Sequence, residues 1–306
     1  MQKKSCNKIK NPPLGQQRGN RFYLFRIMSC IKPFNNGKIT LYLEVIIMAR
    51  LNYNQVEDNL INWLKEMVNQ AGCSGAVVGL SGGIDSSVAA VLCKKAFGSE
   101  FLGVTMPCYS SEQDAADARV LAEKFSIDYI TKDLGATYDK LLQILEPKNK
   151  KVDRNEARGR TNEKVNIAEA NIKPRLRMTT LYYYAALNNY LVVGTDNWSE
   201  LTVGYFTKHG DGGIDLAPLG RLVKTEVREL ARHLEIPEEI IEKKPSAGLW
   251  EGQTDEEEMG FSYQQLDRYI LTGKVDGDIK EKIENLVEKN KHKTEPIPKP
   301  AREKLF

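Results

Sequence analysis

Six residues, Ser81-Gly82-Gly83-Ile84-Asp85-Ser86, constrain this chain more than any other stretch. They follow a short apolar run, Gly75-Ala76-Val77-Val78-Gly79-Leu80, of the kind a buried strand presents. They precede Ser86 to Phe97, which is patterned as a helix and stops at Gly98. Strand, glycine turn and helix in that order make an anion cradle. The glycines let backbone N–H groups approach oxygen atoms, and the helix start adds unpaired N–H groups and the positive end of its dipole. Ser81 and Ser86 supply hydroxyl donors. Asp85 is out of place beside an anion unless it holds a cation, which points to Mg²⁺. The turn lacks the Lys of a G-x-x-x-x-G-K-[ST] phosphate loop and the spacing of a dinucleotide G-x-G-x-x-G.

The chain around this turn alternates short apolar runs with amphipathic segments. Tyr53 to Ala71 reads as a helix capped by Gly72, with Val56, Leu60, Trp63, Leu64, Met67 and Val68 on one face. Strands are expected at Phe101 to Met106, Ile127 to Thr131 and Tyr190 to Gly194. Helices are expected at Ser111 to Phe125, Thr137 to Leu145, Asn162 to Ala170, a segment restarted by Pro174 and running to Asn188, Leu222 to Leu234, Tyr263 to Leu271 and Asp278 to Lys289. Pro147 to Arg160 and Lys243 to Gly260 read as loops. The pattern predicts an α/β fold: a parallel sheet with helices on both faces, extended by C-terminal helices. Ligands of such sheets bind at the carboxyl ends of the strands.

Residues 1–47 differ from the rest. They carry nine basic residues and one acid, a net +8, which leaves the remainder at −5. A mildly acidic body argues against a nucleic-acid partner. The first 47 residues are expected to be a disordered basic extension to a body spanning 48–306, with Met48 as the native start. A chain beginning at Met48 should therefore keep the thermal midpoint and turnover of the full chain, and a large fall in either would show that the extension packs on the body. No apolar run is long enough to span a bilayer. Five cysteines (Cys6, Cys30, Cys73, Cys93, Cys108), none in a C-x-x-C pair, fit a reducing, cytoplasmic setting without a disulfide framework.

Further segments give the turn a context. They are Gly194-Thr195-Asp196-Asn197-Trp198-Ser199-Glu200, Gly204 to Gly213, Asp215 to Leu219, Lys224-Thr225-Glu226-Val227, Lys244-Pro245-Ser246, Gly252 to Glu256 and His292-Lys293. Glu200 follows a strand end, where it could share a cation with Asp85. The glycine turn resembles that of the N-type ATP pyrophosphatases. Together the segments resemble the ammonia-dependent NAD⁺ synthetases, from about Asn52 to Lys293. The resemblance implies an adenine-nucleotide α-hydrolase-like fold and a homodimer with the dinucleotide at the subunit interface. It implies ATP on Gly79, Leu80, Ser81, Gly82, Gly83, Ile84, Asp85, Ser86, Thr195, Lys224 and Ser246. It places Mg²⁺ on Asp85 and Glu200, and deamido-NAD⁺ on Arg175, Lys208, Asp215, His292 and Lys293. The implied reaction adenylates the nicotinate carboxylate of deamido-NAD⁺ and then displaces AMP with ammonia. Glutamine-using relatives carry an additional amidase domain, so free ammonia is the expected nitrogen donor. Read without the family, Lys208, Lys224 and the His292-Lys293 pair are equally compatible with solvated surface charges.

Overall fold

The computed structural model describes residues 51–145, 163–246 and 254–304. The expected basic extension 1–47 and the expected loop Pro147 to Arg160 lie outside these residues. Four strands, β1 (Gly75–Gly79), β2 (Phe101–Thr105), β3 (Tyr129–Thr131) and β4 (Tyr190–Val192), form one sheet in the order β3-β2-β1-β4. Every pairing is parallel, and β1 is central, with Ala76 beside Phe101 on one side and Leu191 on the other. The helices are α1 (Tyr53–Gln70), α2 (Ile84–Phe97), α3 (Glu112–Phe125), α4 (Gly135–Leu145), α5 (Glu163–Ala170), α6 (Ile172–Asn188), α7 (Trp198–Val203), α8 (Lys224–His233), α9 (Glu238–Ile241), α10 (Asp255–Met259), α11 (Tyr263–Thr272) and α12 (Gly277–Thr294).

Strand side chains alternate between two cores, as the period-2 geometry of a strand requires. Ala76 and Val78 enter a core built with α1, α2, α3 and α8, which contribute Leu64, Val88, Leu121 and Val227. Val77, Val104 and Val192 face the opposite core, built with Tyr138 of α4 and Ala185 of α6. Helices therefore cover both faces, as the strand–helix alternation predicts. A third cluster, Val203, Met259, Phe261, Tyr263, Leu266 and Ile283, binds α7, α10, α11 and α12 into the C-terminal helical part.

Local differences from the expected boundaries have physical causes. Helix α2 begins at Ile84 rather than Ser86, with Gly83 as its extended N-cap, so Asp85 lies inside the first turn. Helix α3 is capped by the Ser111 hydroxyl accepting from Asp114 N and ends at Ser126 in the left-handed region. Ile127 then donates back to Ala122, which delays β3 to Tyr129. Pro174 does not break a helix: the chain breaks at Asn171, and Pro174 is the third residue of α6, where no intrahelical donor is required. Helix α10 lies inside a stretch expected to be loop, and α12 runs on to Thr294. No helix among the described residues is long and apolar enough to cross a membrane.

Candidate active site

The glycine turn closes between β1 and α2 at the carboxyl end of the sheet. Gly82 has φ +75°, and a Cβ there would stand 2.3 Å from the Asp114 carbonyl oxygen, so glycine is required by both conformation and space. Ser86 Oγ accepts from Ser81 N at 3.3 Å and donates to the Gly83 carbonyl at 2.9 Å, and Ser87 Oγ donates to the same carbonyl at 2.9 Å. These bonds hold the turn in one shape before any ligand arrives.

Asp85 meets residues more than 100 positions later in the chain. Its Oδ1 accepts from Asn197 Nδ2 at 2.9 Å, and its Oδ2 pairs with Lys224 Nζ at 2.5 Å. Lys224 Nζ also lies 3.0 Å from Glu200 Oε1. Glu200 sits in α7 as half of a capping box: Glu200 N donates to Asn197 Oδ1 at 3.1 Å, and Asn197 N donates to Glu200 Oε2 at 3.2 Å. Asn197, fully buried, thus fixes both carboxylates at once. Lys224 opens α8 and is 2% exposed. Its backbone N donates to Ser199 Oγ at 3.0 Å, and Ser199 in turn donates to Asp267 at 2.5 Å. Tyr263 closes the cluster from the C-terminal helices. Its hydroxyl reaches Asp255 Oδ2 at 2.9 Å and Glu200 Oε1 at 3.1 Å, and its ring centroid stands 4.9 Å from Lys224 Nζ.

Burial and pairing oppose each other in this cluster. Burial pushes the Glu200 carboxyl up to about 7, and the Lys224 ammonium offsets part of that shift. Lys224 is held well above the ordinary lysine range because Asp85 and Glu200 outweigh the cost of its burial. Asp196, on the turn from β4 to α7, is 5% exposed, and its Oδ2 has no hydrogen-bond partner among the described residues. Burial drives this carboxyl well above its ordinary range, and the nearby Asp211, Glu200 and Asp85 add to the shift. A carboxyl raised in the folded state stabilises the fold below its unfolded pKa. That contribution is lost as the pH rises through the folded value. Asp196→Asn abolishes the titration. Thermal melts across mildly acid to mildly alkaline pH should therefore move steadily in the variant's favour as pH rises. A difference independent of pH would show that Asp196 titrates as an ordinary carboxylate.

A second group assembles just beyond α7. Lys293 Nζ donates to the carbonyls of Gly204 (2.7 Å) and Phe206 (2.8 Å), and Lys208 Nζ donates to the His292 carbonyl at 2.5 Å. Arg175 Nη2 reaches the Lys208 carbonyl at 3.4 Å. Arg175, Lys208, His292 and Lys293 therefore share one neighbourhood, although they come from α6, a loop and α12. His292-Lys293 lies in the last turn of a helix, where His292 is exposed and Lys293 half-buried, and burial lowers the Lys293 ammonium. Asp215 stands apart from these bonds: its oxygens accept from Tyr182 OH at 3.0 Å and from Val192 N at 2.8 Å, at the end of β4. Thr195 lies half-buried on the β4–α7 connection. Ser246 is exposed and ends a described segment.

Asn197, Asp196, Asp255 and Tyr263 were not among the residues expected at the site. For Asn197 a signal exists, because Asn197-x-x-Glu200 is a capping-box spacing. Asp255 and Tyr263 arrive through tertiary packing and carry no local signal.

Asp85 Oδ2 and Glu200 Oε1 are hard donors turned to one point, with the other oxygen of each carboxylate already bonded to Asn197. No cluster of three or more potential ligands stands ready among the described residues. That donor set suits Mg²⁺, which is held by one or two carboxylates together with water and substrate phosphates.

Comparison with known proteins identifies the family. The sequence profile of the NAD synthase family matches residues 56–297. The NH₃-dependent NAD⁺ synthetase of Carboxydothermus hydrogenoformans is 50% identical over 244 residues, covering 80% of this chain and 96% of the relative. Among solved structures, the NMN synthetase of Francisella tularensis is 36% identical with TM-score 0.73, covering 82% of this chain and 99% of its own. The NH₃-dependent NAD synthetase of Campylobacter jejuni is 28% identical with TM-score 0.64, covering 82% and 100%.

Proposed function

The chain belongs to the NAD synthase family, and from that membership together with the site we infer an ammonia-dependent ligase that converts deamido-NAD⁺ to NAD⁺ at the expense of ATP. The nicotinate carboxylate attacks the α-phosphorus of ATP, forming an acyl-adenylate as pyrophosphate leaves. Ammonia then attacks the acyl carbon, and AMP departs with the electrons of the broken C–O bond. The observation that carries this reading is the meeting of Asp85, Glu200 and Lys224 at the glycine turn.

Our assignment of roles follows the family resemblance, with which the chemistry of each group is compatible. The amides of Gly82 and Gly83, with Ser81 and Ser86, cradle phosphate oxygens, and the start of α2 adds its dipole. Thr195, Lys224 and Ser246 complete the ATP contacts. Asp85 and Glu200 would hold Mg²⁺, which when bound draws charge from the phosphates. Arg175, Lys208, His292 and Lys293 are cationic or hydrogen-bonding groups suited to a dinucleotide, and the resemblance adds Asp215, which bonds separately to Tyr182 and to the end of β4. The protein's work is then positioning and charge stabilisation, with no covalent intermediate on a side chain.

A homodimer and cytoplasmic operation belong to the same proposal. Helices α4, α5 and α6 carry the exposed apolar residues Ile144, Leu145, Ile167, Tyr183 and Leu187, a composition that favours a partner surface.

ATP–pyrophosphate exchange tests the reading. Exchange should require the acid substrate, and deamido-NAD⁺ should support it better than nicotinate mononucleotide. The mononucleotide arm matters because the Francisella neighbour carries the name NMN synthetase. Preference for the mononucleotide would keep the chemistry and move the substrate; exchange with neither would refute the reading.

A further inference from the structure

Lys224 occupies the point at which the two metal-binding carboxylates converge. Asn197 holds Asp85 Oδ1 and Glu200 Oε2, so the remaining oxygens, Asp85 Oδ2 and Glu200 Oε1, are the pair turned toward a cation, Glu200 Oε1 also lying 3.1 Å from the Tyr263 hydroxyl. Both are engaged by the Lys224 ammonium, at 2.5 and 3.0 Å. A Mg²⁺ ion on the same oxygens would stand at about 2.1 Å from them. The two cations cannot share that position.

We propose that Lys224 is the resting occupant of the divalent-cation seat, and that Mg²⁺ and ATP load by exchange: the metal takes Asp85 and Glu200 as the ammonium transfers to the triphosphate. This rests on the assignment of Asp85 and Glu200 as metal ligands. Two carboxylates match a divalent ion in charge, whereas the ammonium leaves one negative charge over. Metal alone would take from Lys224, which is 2% exposed, both carboxylates within ion-pair distance and leave it only the more distant Asp255. The nucleotide restores close anionic partners. Metal and nucleotide therefore bind with positive coupling, and Lys224 carries it. The helix start does not need to move. Lys224 N is bonded to Ser199, Thr225 N is bonded to Asp267 at 2.8 Å, and only the four-carbon side chain has to swing.

Mn²⁺ binding to the full chain, read from the EPR signal of the free ion, tests the exchange without turnover. The wild type should bind Mn²⁺ weakly alone and at least ~10-fold more tightly with a non-hydrolysable ATP analogue. Lys224→Met should tighten Mn²⁺ binding in the absence of nucleotide by a similar factor and lose most of the coupling. Equal or weaker Mn²⁺ binding by that variant overturns the exchange. Should it fail to fold, absence of coupling in the wild type overturns it as well. Asp85→Asn separates the underlying assignment: lost Mn²⁺ binding in the presence of the analogue supports the seat, and unchanged binding refutes it together with the exchange.

Discussion

Asp85→Asn is expected to lose at least ~10²-fold in turnover, the scale of removing one preorganised electrostatic group from a reaction centre. The substitution keeps the shape of the side chain and can still bond to Asn197, yet removes the charge that faces Lys224 and the proposed Mg²⁺ position. It sits in the first turn of α2, and its side chain belongs to none of the apolar cores, so the fold should persist. Turnover measured across a Mg²⁺ titration is the check. A variant with wild-type turnover and unchanged Mg²⁺ dependence would remove Asp85 from the reaction and leave the cluster as a structural ion pair.

The second large effect concerns nitrogen. The attacking species must be NH₃, because ammonium has no lone pair. At fixed total ammonium the rate should rise roughly tenfold per pH unit while ammonium predominates, until the enzyme itself fails. Glutamine should support little turnover. Cys108 is the cysteine nearest the strand ends, and the structure places it fully buried beneath them. Burial also pushes its thiol up, with Arg177 and Lys173 opposing, which is the reverse of what a nucleophilic cysteine needs. Cys108→Ser should leave ammonia-dependent synthesis largely intact. Efficient glutamine use abolished by that substitution would mean an amidase site exists in this chain.

Much of the sheet was legible because buried parallel strands are short apolar runs, and Val77-Val78 and Leu191-Val192 could hardly be anything else. Helix α10 was missed because its five residues, Asp255 to Met259, are four acids and one methionine, with almost no apolar period to read. That Asp85 and Glu200 meet could be read from chemistry at a turn and a strand end. Their actual geometry could not, since it depends on Asn197 reaching across from the β4 side and on Lys224 approaching from α8. Lys293 shows the opposite failure. Sequence places it near a basic tail, and only the packing of α12 against α7 turns it inward to the Gly204 and Phe206 carbonyls.

The sheet order carries a consequence for how the enzyme comes into being. β2 and β3 extend the sheet on one side of β1, and the chain returns to β1's other side only with β4. Asp85 is therefore separated by 112 residues from Asn197 and by 139 from Lys224. Contacts so distant in sequence form after the large loop between them has closed, and loop closure of that span slows folding. During synthesis the β1–β2–β3 layer can pair while the later segments are still unmade, but the site has no second carboxylate until α7 has emerged and no lysine until α8 has. Catalytic competence is thus among the last properties this polypeptide acquires, and a chain that stops after β3 but before Glu200 carries the cradle residues without the second carboxylate or the lysine that meet there.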